Sequence, residues 1–288
     1  LAKEGIFGED FAQDVCSLIH HDVNPSKSFL EIEKKAPTLH KILQGIISGE
    51  VDCDRMDYLL RDSYYCGVAY GQYDIDWMIS SMSITQKSNS LVFSIKENGV
   101  RAFEDLLLAR YHMLDQVYFH KTKVGFTHAV EQAFSQKEVE ISIPTDPYEY
   151  AQLRDGKLIE MLFESAKKKE NYWSRSLIYR IPPKRIMRFQ DKNKDDLKDL
   201  QKLIQICKNN NIRYFSHSTS SELSHFGECD HEIQDIYVEK QIINGVRYIP
   251  MFEYSDLLQK YNETIKFTDL FVVREDYQKF LDITASYG

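Results

Sequence analysis

The chain has 288 residues, a formal net charge of -8, and only 12 glycines and 7 prolines. It is longer than one typical domain and can bury a core without staples, while its acidic balance argues against a general duplex binder, whose surface must neutralise phosphates with many lysines and arginines. No apolar run approaches the roughly 20 residues of a membrane-spanning helix. The five cysteines are scattered without a CxxC pair, which fits a reducing cytoplasm better than a disulfide framework or a zinc knuckle.

The stretch LAKEGIFGEDFAQDV reads as the middle of a helix, so the expectation is of a piece of a longer protein. Phe11, Val15, Leu18 and Ile19 recur at helical spacing. Leu39, Ile42, Leu43, Ile46 and Ile47 repeat the pattern up to Gly49, a candidate cap. The next helix lies in GEVDCDRMDYLLRDSYYCG, from Gly49 to Gly67. It places Asp54, Tyr58 and Asp62 at i, i+4 and i+8 on one face, with Asp57 set to pair with Arg61. On spacing alone that face reads first as a solvated acidic surface.

SITQKSNSLVFSI has β-rich ends around a turn and predicts a hairpin at about 83 to 96. A long helix follows from about Gly99 to Phe134, with Gly125 as the place where it would break. On it Arg110, Leu114 and Tyr118 fall at i, i+4 and i+8, followed by His120 and Lys121. An arginine and a tyrosine on one stripe can grip a phosphate and stack on a base or sugar, or they can pair with an acid and fill core; spacing does not decide between the two. DPYEYAQLRDGKLIEMLFESAKKK predicts another helix and NYWSRSLIYR a short one, ended by Pro182 and Pro183.

Beyond that point short β-rich segments (RIMRF, IRYFSH, IQDIYVEK, IKFTDLFVV) surround one helical run, KDDLKDLQKLIQICKNN, predicting a small α+β subdomain over 184 to 288. Between Ala166 and Lys194 there are ten Lys or Arg against two acids. This excess reads as a solvated surface, as a phosphate-attracting patch, or as a single-strand binder stacking on Tyr172 and Trp173. His217, His225, Cys229, Asp230 and His231 have metal-ligand chemistry, but their spacing fits no zinc pattern and the segment reads as a loop.

From Asp52 to Gly67 the sequence fits D-x-D-R-x-D-Y-x-x-R-D-x-x-x-x-G without a gap. It resembles HD-domain phosphohydrolases of the deoxynucleoside-triphosphate triphosphohydrolase type, the dGTPase and SAM-and-HD-domain enzymes. The Arg110 to Lys121 arrangement and AQLRDGKLIEML (Ala151 to Leu162) resemble the same family. The resemblance implies a mainly α fold: an HD-domain-like helical core over 1–183 and the small α+β subdomain over 184–288. It implies a divalent metal ion (Mg, Mn, Ni, Zn or Fe not being distinguishable) with Asp54 as one ligand. Its histidine and His-Asp ligands are expected upstream of Leu1, because His20, His21 and Asp22 lack the family's surroundings. It further implies Arg55 and Tyr58 beside the triphosphate or sugar, Asp62 on a sugar hydroxyl, Arg110 on phosphate and Tyr118 against the deoxyribose. Arg175 matches an effector-phosphate arginine between subunits of a homo-oligomer, dimer or tetramer. The implied reaction is hydrolysis of a deoxynucleoside triphosphate to nucleoside and triphosphate. A nucleotide-binding or oligomerisation scaffold without turnover, and a different nucleotide substrate, stand as alternatives.

Overall fold

A computed structural model describes residues 8, 10–20, 22–87, 89–221, 236–260 and 265–285. His21, His225, Cys229, Asp230 and His231 lie outside the described residues. In chain order the elements are α1 (Phe11–Ile19), α2 (Lys27–Lys35), α3 (Leu39–Ser48), α4 (Cys53–Cys66), α5 (Ile75–Ser81), β1 (Met82–Lys87), β2 (Ser90–Lys96), α6 (Val100–Met113), α7 (Lys121–Ser135), α8 (Pro147–Tyr150), α9 (Asp155–Ala166), α10 (Tyr172–Ile178), β3 (Lys184–Gln190), α11 (Lys194–Asn209), β4 (Tyr214–Ser221), β5 (Tyr237–Ile242), β6 (Gly245–Pro250), α12 (Met251–Tyr254), α13 (Asp256–Lys260), β7 (Ile265–Val272) and α14 (Tyr277–Ala285). Two units form, residues 1–114 with 222–264 and residues 115–221 with 265–288.

The first unit is built around α4, α6 and a four-stranded sheet in the order β1-β2-β5-β6. Within α4, Met56, Leu59 and Ser63 are buried at i, i+3 and i+7, one side of a helix. The Asp52 carboxylate caps the start by accepting the Arg55 amide at 2.6 Å. At the other end Gly67 takes the left-handed conformation (φ 66°), and the Val68 amide donates to the Ser63 carbonyl at 3.1 Å. The chain then folds back so closely that a Cβ on Gly71 would stand 2.3 Å from the Leu59 carbonyl oxygen. Tyr73 completes the return by donating its hydroxyl to the Met56 carbonyl at 2.8 Å, and burial pushes its phenol up to about 12.

The hairpin β1–β2 pairs Met82 with Ile95 through Lys87 with Ser90, close to the span expected from sequence. β5 runs parallel to β2, and β6 pairs antiparallel with β5. Leu59, Met78, Ile95, Phe103, Met113 and Val238 are fully buried in this unit.

In the second unit β7 lies between β3 and β4 in an antiparallel sheet. Leu270, Phe271 and Val272 of β7 are fully buried. Cys207 of α11 and Phe280 of α14 pack with Ile212 and Val272, and burial pushes the Cys207 thiol up to about 11. Ala129 and Ala133 of α7, Leu162 of α9 and Trp173 of α10 form a further core with Val139 and Val273. Arg213, just before β4, donates to Asp276 at 2.9 Å and to Glu275 at 2.9 Å.

These findings correct the expected fold class. The chain is not a helical core carrying one short hairpin with a small C-terminal α+β subdomain: each unit mixes helices with a sheet, of four strands in the first and three in the second. The strands β5 and β6, from the stretch assigned to the C-terminal subdomain, complete the sheet that β1 and β2 begin. A lone hairpin leaves the outer backbone groups of β2 unpaired, and the parallel strand β5 satisfies them. The expected long helix also ends early, at Met113, because Leu114–Tyr118 wind as a π-helix and a new helix begins at Lys121. Gly125 is no break; it sits buried within α7, where a Cβ would meet Pro182 and Pro183 at 3.4 Å.

Gly71→Ala drives a methyl group into the Leu59 carbonyl, so urea unfolding should report a loss of about 2 kcal/mol, the range for overpacking a site that cannot yield. The acid limb of stability carries a second expectation. Hydrogen bonds from Arg213 hold the Asp276 carboxyl below its ordinary value. Its stabilising contribution is therefore present above about pH 4 and is lost as pH falls through the lowered folded value. Asp276→Asn should be less stable at neutral pH by about 1 kcal/mol, a figure kept small because Arg213 is half exposed, and unfolding curves of the two proteins should converge at about pH 2.

Candidate functional site

The site is built on the first turn of α4 and the last turn of α6, which pack on each other in the first unit. Asp52 is the cap of α4, and Asp54 and Arg55 follow in its first turn. Arg110 lies in the last turn of α6. Between the two helices stands Glu50, a buried carboxylate with 8% exposure. Arg110 Nη1 donates to Glu50 Oε2 at 3.1 Å, and Arg55 Nη1 lies 3.5 Å from the same oxygen. Arg55 also reaches Asp52, with Nε 3.5 Å from Oδ2, and donates to the Gly49 carbonyl.

Two carboxylates and two guanidiniums thus meet at the start of α4. Burial pushes Asp52 above the ordinary carboxylate value, opposed by the Arg55 amide and by the charges of Arg55 and Arg110, while Asp54 adds to the rise. Burial likewise raises the Tyr58 phenol, against the pull of Arg110 and Arg55. Asp54 itself is exposed and makes no hydrogen bond or ion pair among the described residues. Tyr58 is half-buried one turn further on. Asp62, a turn beyond, accepts from Arg61 Nη1 at 3.1 Å, while Arg61 also grips Asp57 at 2.9 Å, the pairing expected from their spacing.

The structure therefore brings together Asp54, Arg55, Tyr58 and Arg110, and it keeps Asp62 on the same helix. Tyr118 and Arg175 belong to the second unit. Tyr118 ends the π-helical turn, partly buried, and the α-helical count that put it on the Arg110 stripe does not apply through five π-helical residues. Arg175 donates to the Lys169 carbonyl at 3.2 Å, with its guanidinium 6.0 Å from the Tyr179 ring centre. His20 is the exposed cap of α1, and its ring accepts the Asp22 amide at 3.3 Å.

Sequence reasoning gave Glu50 no role. Its partner on α6 lies 60 positions away, beyond any local spacing rule. The one available signal was a carboxylate placed directly between Gly49 and the apolar Val51, which is itself buried. Among the described residues no three His, Cys, Asp or Glu side chains converge to hold a metal ion. Asp54 offers one oxygen ligand, and the described residues alone do not fit the divalent metal that the resemblance implies.

Residues 73–211 match the family described as HD associated region. Uncharacterized proteins of Methanocaldococcus jannaschii and Bacillus subtilis are 47% and 44% identical over 83 and 81 residues, 28% of this chain and 18% of each relative. The deoxynucleoside triphosphate triphosphohydrolase SAMHD1 homolog of Dictyostelium discoideum is 28% identical over 144 residues, 49% of this chain and 27% of that protein. A hypothetical protein from Aquifex aeolicus superposes with a TM-score of 0.71 at 24% identity, over 96% of this chain and 66% of that one. A phosphohydrolase from Bacteroides thetaiotaomicron superposes with a TM-score of 0.60 at 22% identity, over 85% and 66%. The chain thus spans only part of the proteins it resembles and shares its fold with the two solved ones. Its likeness is to proteins of the HD-associated type.

Removing one partner of a buried ion pair leaves the other charge stranded. Glu50→Ala should cost about 3 kcal/mol in denaturant unfolding. An exposed, unpaired Asp54 gives no such loss.

Proposed function

We propose that the complete protein is an HD-type phosphohydrolase acting on nucleotides, and that its substrate is a deoxynucleoside triphosphate. The observation that carries this reading is the exposed, unpaired Asp54 carboxylate beside Tyr58 and two guanidiniums, within the Asp52 to Gly67 pattern. The HD-associated match and the names of the Dictyostelium and Bacteroides proteins support it.

In this reading Arg110 and Arg55 bind the phosphates. A guanidinium has five N–H donors. Arg110 gives one to Glu50, so the others are left to grip phosphoryl oxygens and to neutralise charge that develops on them. Water oxygen bonds to the α-phosphorus as the bond from phosphorus to the sugar 5′ oxygen breaks. The nucleoside leaves with a proton on that oxygen, and triphosphate carries away the phosphates. Tyr58 and Asp62 orient the sugar. A cytoplasmic homo-oligomer with Arg175 on an effector phosphate completes the proposal.

A binding scaffold without turnover is the second reading. The internal pairing of both Arg55 and Arg110 favours it, since a wholly structural network would look the same.

The two readings part on Asp54→Ala in the complete protein, assayed against the four deoxynucleoside triphosphates with magnesium, manganese or nickel. Hydrolysis should fall by at least a hundredfold with the unfolding midpoint unchanged. Full retention of triphosphate release would refute the assignment, and nucleotide binding without any turnover in the unmodified protein would establish the scaffold.

A further inference from the structure

Two guanidiniums share one carboxylate oxygen at the start of α4. Arg110 Nη1 donates to Glu50 Oε2 at 3.1 Å, and Arg55 Nη1 stands 3.5 Å from the same atom. Like charges so placed repel, and an anion between them is what holds both in one orientation. The Glu50 side chain is 5% exposed, against 12% for Arg110 and 23% for Arg55. The acid therefore lies beneath the pair, and solvent reaches the arginines more than it reaches their counter-charge. The neighbouring acids do not replace it. Asp52 caps α4 and reaches Arg55 alone, and Asp54 is exposed. Glu50 is the acid that pairs with both arginines.

In the nucleotide hydrolysis proposed above, on which this inference rests, the same two arginines meet phosphates twice, first on the substrate and then on the released triphosphate. Uncompensated guanidiniums would grip both alike. Equal grip on substrate and product adds nothing to the chemical step, and it slows release. A fixed carboxylate behind the pair opposes every arriving anion, and more so as the anion's charge grows. Hydrolysis replaces the sugar ester with a phosphoryl oxygen, so triphosphate presents one more ionisable oxygen than the substrate and is opposed the more.

We propose that Glu50 is a positioning residue for this reaction: acting through Arg110 and Arg55, it keeps the two guanidiniums oriented before a ligand arrives and weakens their hold on triphosphate, so that the product leaves. A carboxylate that merely ties α4 to α6 has the opposite signature. Its loss would splay the arginines and weaken anion binding.

The test is Glu50→Gln, which keeps the size of the side chain and removes its charge, with all proteins assayed well below their unfolding midpoints. In calorimetric titrations of the 288-residue chain and of the complete protein, the variant should bind inorganic triphosphate about tenfold tighter, the scale set by one charge removed from a partly screened site. In the complete protein, kcat and KM for deoxynucleoside triphosphates should fall together, and inorganic triphosphate should inhibit about tenfold more strongly. Adding Arg110→Gln to Glu50→Gln should abolish the gain in affinity, which locates the anion at this pair. Glu50→Asp draws the charge back by one methylene and should tighten binding by less, about threefold; it serves alone where the Gln variant does not fold. Unchanged or weaker triphosphate binding in the folded variants would overturn the proposal, as would failure of both to fold, which makes Glu50 a structural tie only. Should the unmodified complete protein turn over no nucleotide, the hydrolase reading fails; tighter triphosphate binding by the variant then still supports Glu50 as the counter-charge of the arginine pair. Turnover in the unmodified protein, with kcat, KM and triphosphate inhibition unaltered in the variant, overturns this inference alone.

Discussion

A carboxylate withdrawn from water must be paid back by partners that hold its charge, and Glu50 has two. Arg110 comes from the end of α6 and Arg55 from the start of α4, so the acid joins two helices at the point where they meet. Stripped of both guanidiniums, Glu50 would carry an uncompensated charge in a buried place. Its pairing therefore sets which residues can follow on α4. Once Arg55 is held inward, Asp54 one position before it is turned outward, and Tyr58 and Asp62 follow at one-turn steps on the same face. The orientation of the candidate site is a consequence of the ion pair beneath it.

The second unit solves a similar problem in the same way. Asp269 lies on the central strand β7 with 1% exposure, and Arg185 and Arg188 from β3 converge on it at 3.4 and 3.0 Å. Arg188 reaches on to Asp115 at 2.8 Å. In each unit one buried acid takes two arginines, from α4 and α6 in the first and from β3 in the second. Such pairs add little net stability over an apolar packing, but they tolerate only one register, since a slip strands a charge. Backbone approach adds a second constraint in the first unit, where Gly71 lies against the Leu59 carbonyl and leaves no room for a side chain.

Much of this was legible residue by residue. Asp57 and Arg61 pair at the expected helical spacing, and Gly67 closes α4 at the end of the matched pattern, because both effects act within one or two turns. The hairpin at 82–96 could be read from its β-rich ends and its turn. The pairing of β2 with β5 could not, since it joins strands separated by about 140 positions and nothing local encodes the partner. β6 was hidden for a related reason: Gly245 and Pro250 at its ends read as turn residues, while only Val246, Tyr248 and Ile249 favour a strand. Nor did apolar periodicity reveal the π-helical turn at 114–118, because one extra residue per turn shifts the count without changing the composition.

The charged residues sort by whether the fold already answers them. Glu50, Asp269 and Asp276 are neutralised where they lie, so each explains an attachment of one element to another, and Asp52 is answered within α4 as its cap. Arg61 and Arg213 are likewise occupied. Asp54 is different, because neither its charge nor its position is needed to hold α4, whose cap is Asp52. A carboxylate at the second position of a helix gains a little from the dipole, but that gain requires no tyrosine and no arginine pair beside it. Arg110 is the intermediate case. It is committed to Glu50, yet an anion that arrives at the site need not break that bond, since a planar guanidinium can serve an acid on one edge and a phosphate on another. Displacing Glu50 would strand a buried charge, so sharing is the favoured arrangement.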